Sequence, residues 1–148
     1  YHPDEELEAR ELTRLLEQKL KKAGFSSVEI RCGEYPYKYY QERNLLELRM
    51  KTAKEHPSEA ANEMGKHAEE DLLKEIIRQA EAADNKTIIL LTETGLLYPF
   101  AGLSGILLGC ENKVLVPLVV LYPATVEDGN VLFMGKRNPG YYRTRDIA

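Results

Sequence analysis

The chain has 148 residues, enough for one domain with a hydrophobic core, and a net charge of −4. This mildly acidic balance argues against a nucleic-acid-binding protein, whose usual footprint is a basic patch. No apolar run approaches the roughly 18 residues of a membrane helix and no signal peptide is visible, so we expect a cytoplasmic protein. The two cysteines, Cys32 and Cys110, have no metal-type spacing, which fits a reducing compartment.

The first 32 residues predict a helix followed by a strand. Residues 1–4 resemble the exit of a strand whose body precedes Tyr1, followed by a turn. Residues 5–22 carry leucines on one side and charges on the other, which predicts a helix with Leu15 and Leu16 in the core. Residues 27–32 alternate as a strand does.

Two helices are predicted next, over residues 34–54 and 59–82. In the first, the pattern directs these side chains inward: Tyr37, Tyr40, Leu45, Leu48 and Met50. Its cluster of tyrosines could serve as a stacking platform for bases, but packed rings with wet hydroxyl groups are the favoured interpretation. The second helix has Ser58 as its predicted N-cap, Gly65 as a point of division, and Leu72 and Ile76 in the core.

The rest of the chain is organised around two apolar runs, residues 86–91 and 114–121. Runs without polar alternation are typical of parallel strands buried on both faces, so residues 88–91 and 115–120 are predicted as central strands. A helix over residues 99–108 should join them, and a short strand over residues 131–134 should follow a turn at Asp128-Gly129. The core should also contain Ile88, Leu90, Leu118 and Val120.

These elements predict one α/β domain over residues 1–148, a three-layer sandwich with a mainly parallel sheet flanked by helices, lacking an N-terminal strand. Ligands and partners of such sheets meet the carboxyl ends of the strands. The candidate partner-binding residues at that edge are Thr92, Glu93, Tyr98, Pro99, Tyr122, Pro123, Tyr142 and Arg143. The last two depend on the final strand running back. No Gly-Lys-Ser/Thr loop is present, so we expect no specific binding of ATP.

Four short motifs in order then carry a family resemblance. They are Leu91-Thr92 with residues 95–100 (Gly-Leu-Leu-Tyr-Pro-Phe), residues 117–123, residues 141–143 (Tyr-Tyr-Arg), and the opening residues 1–7. Together they resemble the BrxB-like family of the BREX bacterial phage-defence systems, although Ala124 stands where that family tends to have glycine. The resemblance implies a cytosolic accessory protein in a complex with other BREX components: the phosphatase-like PglZ protein first, then the BrxC ATPase and the adenine methyltransferase. The resemblance implies no catalytic residue, no cofactor and no metal ligand.

Three functions therefore compete, and a non-catalytic interaction module ranks first. A metal-dependent hydrolase or nuclease would use Glu93 and Asp128 beside Tyr98 and Arg143, but such a site needs several acidic ligands at one point. Weak binding of nucleic acid would use the basic residues near the C-terminus, namely Lys136, Arg137, Arg143 and Arg145.

Overall fold

The computed structural model describes residues 1–127 and 130–133, and this part of the chain folds as a mixed α/β structure. Its five helices are α1 (Glu6–Lys22), α2 (Tyr35–Glu42), α3 (Leu46–Glu55), α4 (Pro57–Ala82) and α5 (Leu103–Cys110). Its strands are β1 (Ser26–Arg31), β2 (Thr87–Thr92), β3 (Leu118–Val120), β4 (Ala124–Glu127) and β5 (Asn130–Phe133). Two 3₁₀ helices, Cys32–Glu34 and Thr94–Leu97, follow β1 and β2.

Strands β1, β2 and β3 form a parallel sheet with β2 in the middle, which confirms the predicted α/β class and the parallel pairing. Strand β2 is central because its side chains are apolar on both faces: Ile89, Leu90 and Leu91 are all fully buried. Strands β4 and β5 pair separately as an antiparallel hairpin. Strand β4 was not predicted, and the predicted turn at Asp128-Gly129 lies outside the described residues.

The second predicted central strand is much shorter than expected, and within the described residues it lies at an edge of the sheet. Only Leu118–Val120 pairs with β2, and Leu115 is 89% exposed. A turn over residues 111–113 separates α5 from β3, and the N–H groups of Lys113 and Val114 close it by donating to the Cys110 carbonyl. The apolar run therefore begins at Val114, four residues before the strand that pairs in the sheet.

The predicted helix over residues 34–54 is wrong as a single element, because the chain breaks between α2 and α3. Asn44 adopts a left-handed conformation with φ of 55°, which asparagine tolerates better than most residues. The Leu45 N–H closes the end of α2 by donating to the Tyr40 carbonyl at 2.8 Å. After this break, Leu45, Leu48 and Met50 are exposed, contrary to the prediction that they face inward.

Helix α4 supplies much of the core, with Leu72 and Ile76 fully buried as predicted. It runs unbroken through Gly65, whose missing side chain makes room for the carbonyl oxygen of Phe100. Its N-cap position is His56, and Ser58 lies inside the helix, so the predicted cap was wrong.

Helix α1 contacts the rest of the fold through small side chains. Ala9 and Thr13 are buried and Leu16 is half-buried, whereas Leu15 is 52% exposed, contrary to the prediction. The Thr13 hydroxyl is satisfied within the helix, since it donates to the Ala9 carbonyl at 2.8 Å. Leucine spacing thus misidentified the inner face of α1. Of the strand residues predicted in the core, Leu90 is fully buried, while Ile88, Leu118 and Val120 are half-buried.

Candidate docking site at the carboxyl ends of the strands

The segment that follows β2 is a short, tightly supported loop. Glu93 takes a left-handed conformation with φ of 56°, and the 3₁₀ helix Thr94–Leu97 follows at once. No element was predicted over this turn, and the next helix, α5, begins at Leu103 instead of the predicted residue 99. The buried Thr94 hydroxyl donates to the Leu121 carbonyl at 2.6 Å, which ties this loop to the end of β3.

Further support comes from apolar anchors on the inner side of the loop. Leu97 is buried, and its carbonyl accepts the Phe100 N–H at 2.8 Å. The Phe100 ring meets Tyr37 of α2 edge-to-face, with ring centres 5.6 Å apart. The Phe100 carbonyl rests against Gly65 of α4, where a Cβ would overlap it. The loop is therefore fixed against two helices.

Three side chains of this loop are exposed to solvent. Leu96 is 48% exposed, Tyr98 is 57% exposed, and Pro99 is exposed beside them, joined to Tyr98 by a cis peptide bond. We call Leu96, Tyr98 and Pro99 the exposed loop face. A tyrosine flanked by apolar groups on a fixed backbone has the chemistry of an interface anchor, because its ring buries a large area with little loss of conformational entropy.

Glu93 is engaged inside the protein, and its side chain is only 11% exposed. Its carboxylate lies 3.1 Å from Arg10 Nη2 of α1, and Arg10 Nε lies 3.6 Å from Glu6. The Tyr1 hydroxyl donates to Glu6 at 2.5 Å. Burial, together with this hydrogen bond, raises the pKa of the Tyr1 phenol. The network links Tyr1, α1 and the loop after β2 through one hydrogen bond and two charge pairs.

The cysteine beside this network is a structural residue. Cys32 is fully buried, and burial, reinforced by the negative charge of Glu93, raises the pKa of its thiol to about 12. A thiol with so high a pKa stays protonated near neutral pH, and the thiolate is the nucleophilic form. Gly33 follows it, and a Cβ there would meet Glu93 and Leu96 at about 3 Å or less, so glycine permits this close packing.

The other candidates within the described residues, Thr92, Tyr122 and Pro123, lie at the same edge but are mostly covered. Thr92 is buried and donates to Glu29 at 2.8 Å. Pro123 is buried, and Tyr122 is half-buried against the core. Tyr142 and Arg143 lie outside the described residues, as do Asp128, Lys136, Arg137 and Arg145. The structure thus brings six candidates to one edge and leaves Tyr98 and Pro99 exposed.

The sequence did not predict that Leu96 would be exposed beside Tyr98, or that Arg10 would pair with Glu93 and Glu6. Leu96 was identifiable in principle, because it is a large apolar residue directly after the turn glycine Gly95. Arg10 had no such signal, since it is one of several charged residues on α1 and its partner is 83 positions away.

A second surface feature lies between α2 and α4, away from this edge. It is a groove of about 210 Å³ lined only by charged residues: Lys38, Glu42, Arg43, Asp71, Lys74, Glu75 and Arg78. Opposite charges pair within it, and hydrogen bonds from Arg78 and Gln79 hold the pKa of Glu75 at about 2 despite its partial burial. Nearby, the rings of Tyr39 and His67 stack with their centres 3.6 Å apart, and the Arg43 guanidinium lies over Tyr39. The ring of Tyr39 is therefore packed between neighbouring side chains.

No group of three or more metal-ligating side chains (His, Cys, Asp or Glu) lies together among residues 1–127 and 130–133. None of the helices over those residues is both long enough and apolar enough to cross a bilayer.

Comparison with known proteins identifies one relationship. The family model described as "BREX protein BrxB" matches residues 34–147, about three quarters of the chain. The matched range contains the 93–102 loop with its exposed face, β3 and the hairpin, whereas α1 and its Arg10 precede it. No curated protein and no solved structure matches the chain.

Proposed function

Because this chain belongs to the family of the BREX protein BrxB, and through it to a BREX phage-defence system, we propose that it is a non-catalytic accessory protein that docks other components of that system. The proposed partner is the phosphatase-like PglZ protein first, with the BrxC ATPase and the methyltransferase as further members of the assembly. The proposed site is the exposed loop face.

The observation that carries this proposal is the contrast between the outer and inner sides of one loop. Outside are Leu96, Tyr98 and Pro99, while inside are the buried Thr94 and Leu97. A protein surface that is already fixed before binding loses less entropy on association, so more of the contact energy appears as affinity. Tyrosine is also among the residues that dominate interface energies.

The arrangement of the carboxylates supports docking over catalysis. A catalytic carboxylate needs access to substrate or metal, whereas Glu93 is nearly covered and paired with Arg10. The proposal also includes the three-layer arrangement, with helices on both faces of the sheet. Leu90 and its neighbour Leu91 point to opposite faces, and both are fully buried, as helices on both sides would require. Helices on both faces leave the strand ends as the natural place for a partner.

The test measures binding of purified PglZ and thermal stability for Tyr98→Ala. We expect a melting temperature close to the parent and a loss of binding of roughly 2 kcal/mol, about thirtyfold in Kd. The matched control is Leu108→Ala, which truncates another exposed apolar side chain, on α5. Control binding should equal that of the parent.

Two further variants separate docking from structural support. Tyr122→Ala should lower the melting temperature, because this ring packs against the core, and it should weaken binding only where the protein unfolds. Pro99→Ala together with Leu96→Ser should weaken binding of the folded protein. Unchanged PglZ affinity in both Tyr98→Ala and the double variant would overturn the exposed loop face as the docking site.

A further inference from the structure

One side of α1 carries exposed residues at a regular spacing. Intervals of three and four residues alternate from Glu5, the residue directly before the helix, to Lys22, its last residue. Because these intervals average about 3.5 residues, close to one helical turn, the side chains lie along one side of the helix, as in a coiled coil. We call this set the α1 stripe, and its members are Glu5, Glu8, Leu12, Leu15, Lys19 and Lys22.

The α1 stripe lies away from the core of the protein. Ala9 and Thr13, through which α1 packs on the fold, are buried, whereas Leu12 is 59% exposed and Leu15 is 52% exposed. The two leucines are neighbours on the helix surface, since they are three positions apart. None of the four charged residues of the stripe forms an ion pair with another residue of the part of the chain that the structure describes. The stripe therefore offers exposed apolar and charged groups side by side.

The order of the residue types along the stripe identifies the occupant. Two glutamates come first, two leucines lie in the middle, and two lysines come last. A copy of the same stripe that runs in the opposite direction presents lysines where this one has glutamates, and leucines where this one has leucines. Charge and apolar surface are therefore both complementary to a second, antiparallel copy.

We propose that two copies of this chain pair through the α1 stripe, with their α1 helices antiparallel about a two-fold axis midway between Leu12 and Leu15. The same patch is then used by both copies, which is the form of contact that a two-fold axis requires. A parallel pairing would instead place Glu8 beside Glu8 and Lys19 beside Lys19, and like charges repel. In the antiparallel pairing the residues that face each other are Leu12 and Leu15 at the centre, Glu8 and Lys19 outside them, and Glu5 and Lys22 at the ends.

The size of this contact predicts a weak, reversible dimer. Helix α1 has 17 residues, so it is about 26 Å long, and each copy brings two leucines to the centre. Contacts of small area are typical of transient association. The exposed ion pairs add little affinity and are weakened by salt, but they decide the direction of the helices. Association is therefore expected at high protein concentration and low ionic strength.

The proposed contact is separate from the exposed loop face. Arg10, which pairs with Glu93 of that loop, is two positions from both Glu8 and Leu12 and so lies on the opposite side of α1. The loop therefore meets α1 on the side away from the stripe. On the proposed function, a dimer would present two loop faces to two partner molecules or to one partner with two sites. Docking and dimerisation are measured independently and can fail independently.

The charged pairs of the contact are tested by reversing one lysine. Sedimentation equilibrium of the full chain at low ionic strength, from roughly 5 μM to roughly 500 μM, measures the dimer Kd. We expect Lys19→Glu to raise this Kd at least roughly tenfold, because it places glutamate opposite Glu8 in both halves of the contact. The matched control is Lys21→Glu, the same change two positions along and on the opposite side of the helix. Its Kd should stay within roughly twofold of the parent, and both variants should keep the parent's melting temperature.

Exchange of charge between two positions tests the direction of the helices. Glu8→Lys alone should weaken the dimer as Lys19→Glu does. An equimolar mixture of these two variants should associate again, since every facing pair then has opposite charges. The variant that carries both changes should also dimerise with itself, with a Kd within roughly threefold of the parent. A parallel contact would be insensitive to either single change, which only replaces one like-charged pair with another.

The apolar centre of the contact is tested by Leu12→Ser, which should raise the Kd at least roughly tenfold. The control Leu7→Ser removes a leucine of α1 that is 73% exposed and lies outside the stripe, and its Kd should equal that of the parent.

Three results would overturn the proposal. One is a chain that stays monomeric over the whole concentration range. Another is a dimer that Lys19→Glu and Lys21→Glu weaken equally or leave equally intact, because the contact would then lie elsewhere. The third is a folded double variant that does not associate with itself, which would exclude the antiparallel pairing.

Discussion

Strands β2 and β3 have the same kind of sequence and very different surroundings. Each lies in an apolar run without polar alternation, yet β2 is buried on both faces and paired on both sides, while β3 is three residues long and half-buried. An apolar run indicates only that a segment can be buried. Which segment takes the central place depends on how the whole chain packs.

Truncation in the core should show the largest difference between the two strands. Leu90→Ala should lower the free energy of unfolding by about 2–5 kcal/mol, because the fully buried site leaves a cavity. Leu118→Ala should cost roughly 1–2 kcal/mol, since part of this side chain already meets water. Urea denaturation of both variants measures the comparison, and equal losses would contradict it.

The hydrogen bond that joins the two strand ends should have a smaller effect. Thr94→Val keeps the shape of the buried side chain but removes the donor to the Leu121 carbonyl, which should cost about 1 kcal/mol. Thr94→Ser retains the hydroxyl and serves as the matched control in the same denaturation experiment. A valine variant as stable as the serine variant would show that this bond does not tie β2 to β3.

Hydrogen bonds to the Asp84 carboxylate stabilise the beginning of β2 in a pH-dependent way. The Asp84 carboxylate accepts hydrogen bonds from the Thr87 hydroxyl at 2.6 Å and the Lys86 N–H at 3.0 Å, and these bonds, the hydroxyl first, lower the pKa of Asp84. Since the folded pKa lies below the unfolded value, this stabilisation is present above the ordinary aspartate pKa and is lost as pH falls through the folded pKa. Stability measured between about pH 5 and about pH 2 should therefore fall less steeply in Thr87→Val, and parallel curves would exclude this role.

The smallest effect is expected in the apolar run before β3. Leu115→Ser should change the free energy of unfolding by no more than about 0.5 kcal/mol, because this leucine is almost wholly in water. Ile89→Ser, at a fully buried position of β2, is the contrasting variant and should strongly lower the free energy of unfolding. Strong destabilisation by Leu115→Ser would mean that residues before Leu118 belong to the sheet after all.

Sequence patterns predicted the elements that depend on local signals. The helix predicted over residues 5–22 became α1 with a shift of one residue, and the parallel pairing of the apolar runs is also as predicted. The break at Asn44 was missed because the amphipathic pattern continues across it, while a single left-handed residue changes the direction of the chain. The edge that carries the candidate site could be predicted, but not which side chains point outward. Exposure of Tyr98 and burial of Pro123 follow from packing between distant segments.

The overlap that a side chain at position 65 would create has a consequence for how binding at the loop can vary. The height of the loop above the sheet is set by backbone-to-backbone contact, since the Phe100 carbonyl lies where a Cβ of residue 65 would be. Any side chain there would force the Phe100 carbonyl and α4 apart, because a Cβ and that oxygen cannot share the space. At the proposed docking site, a buried glycine in the middle of α4 would thereby control where Tyr98 and Pro99 stand, although no partner would touch it.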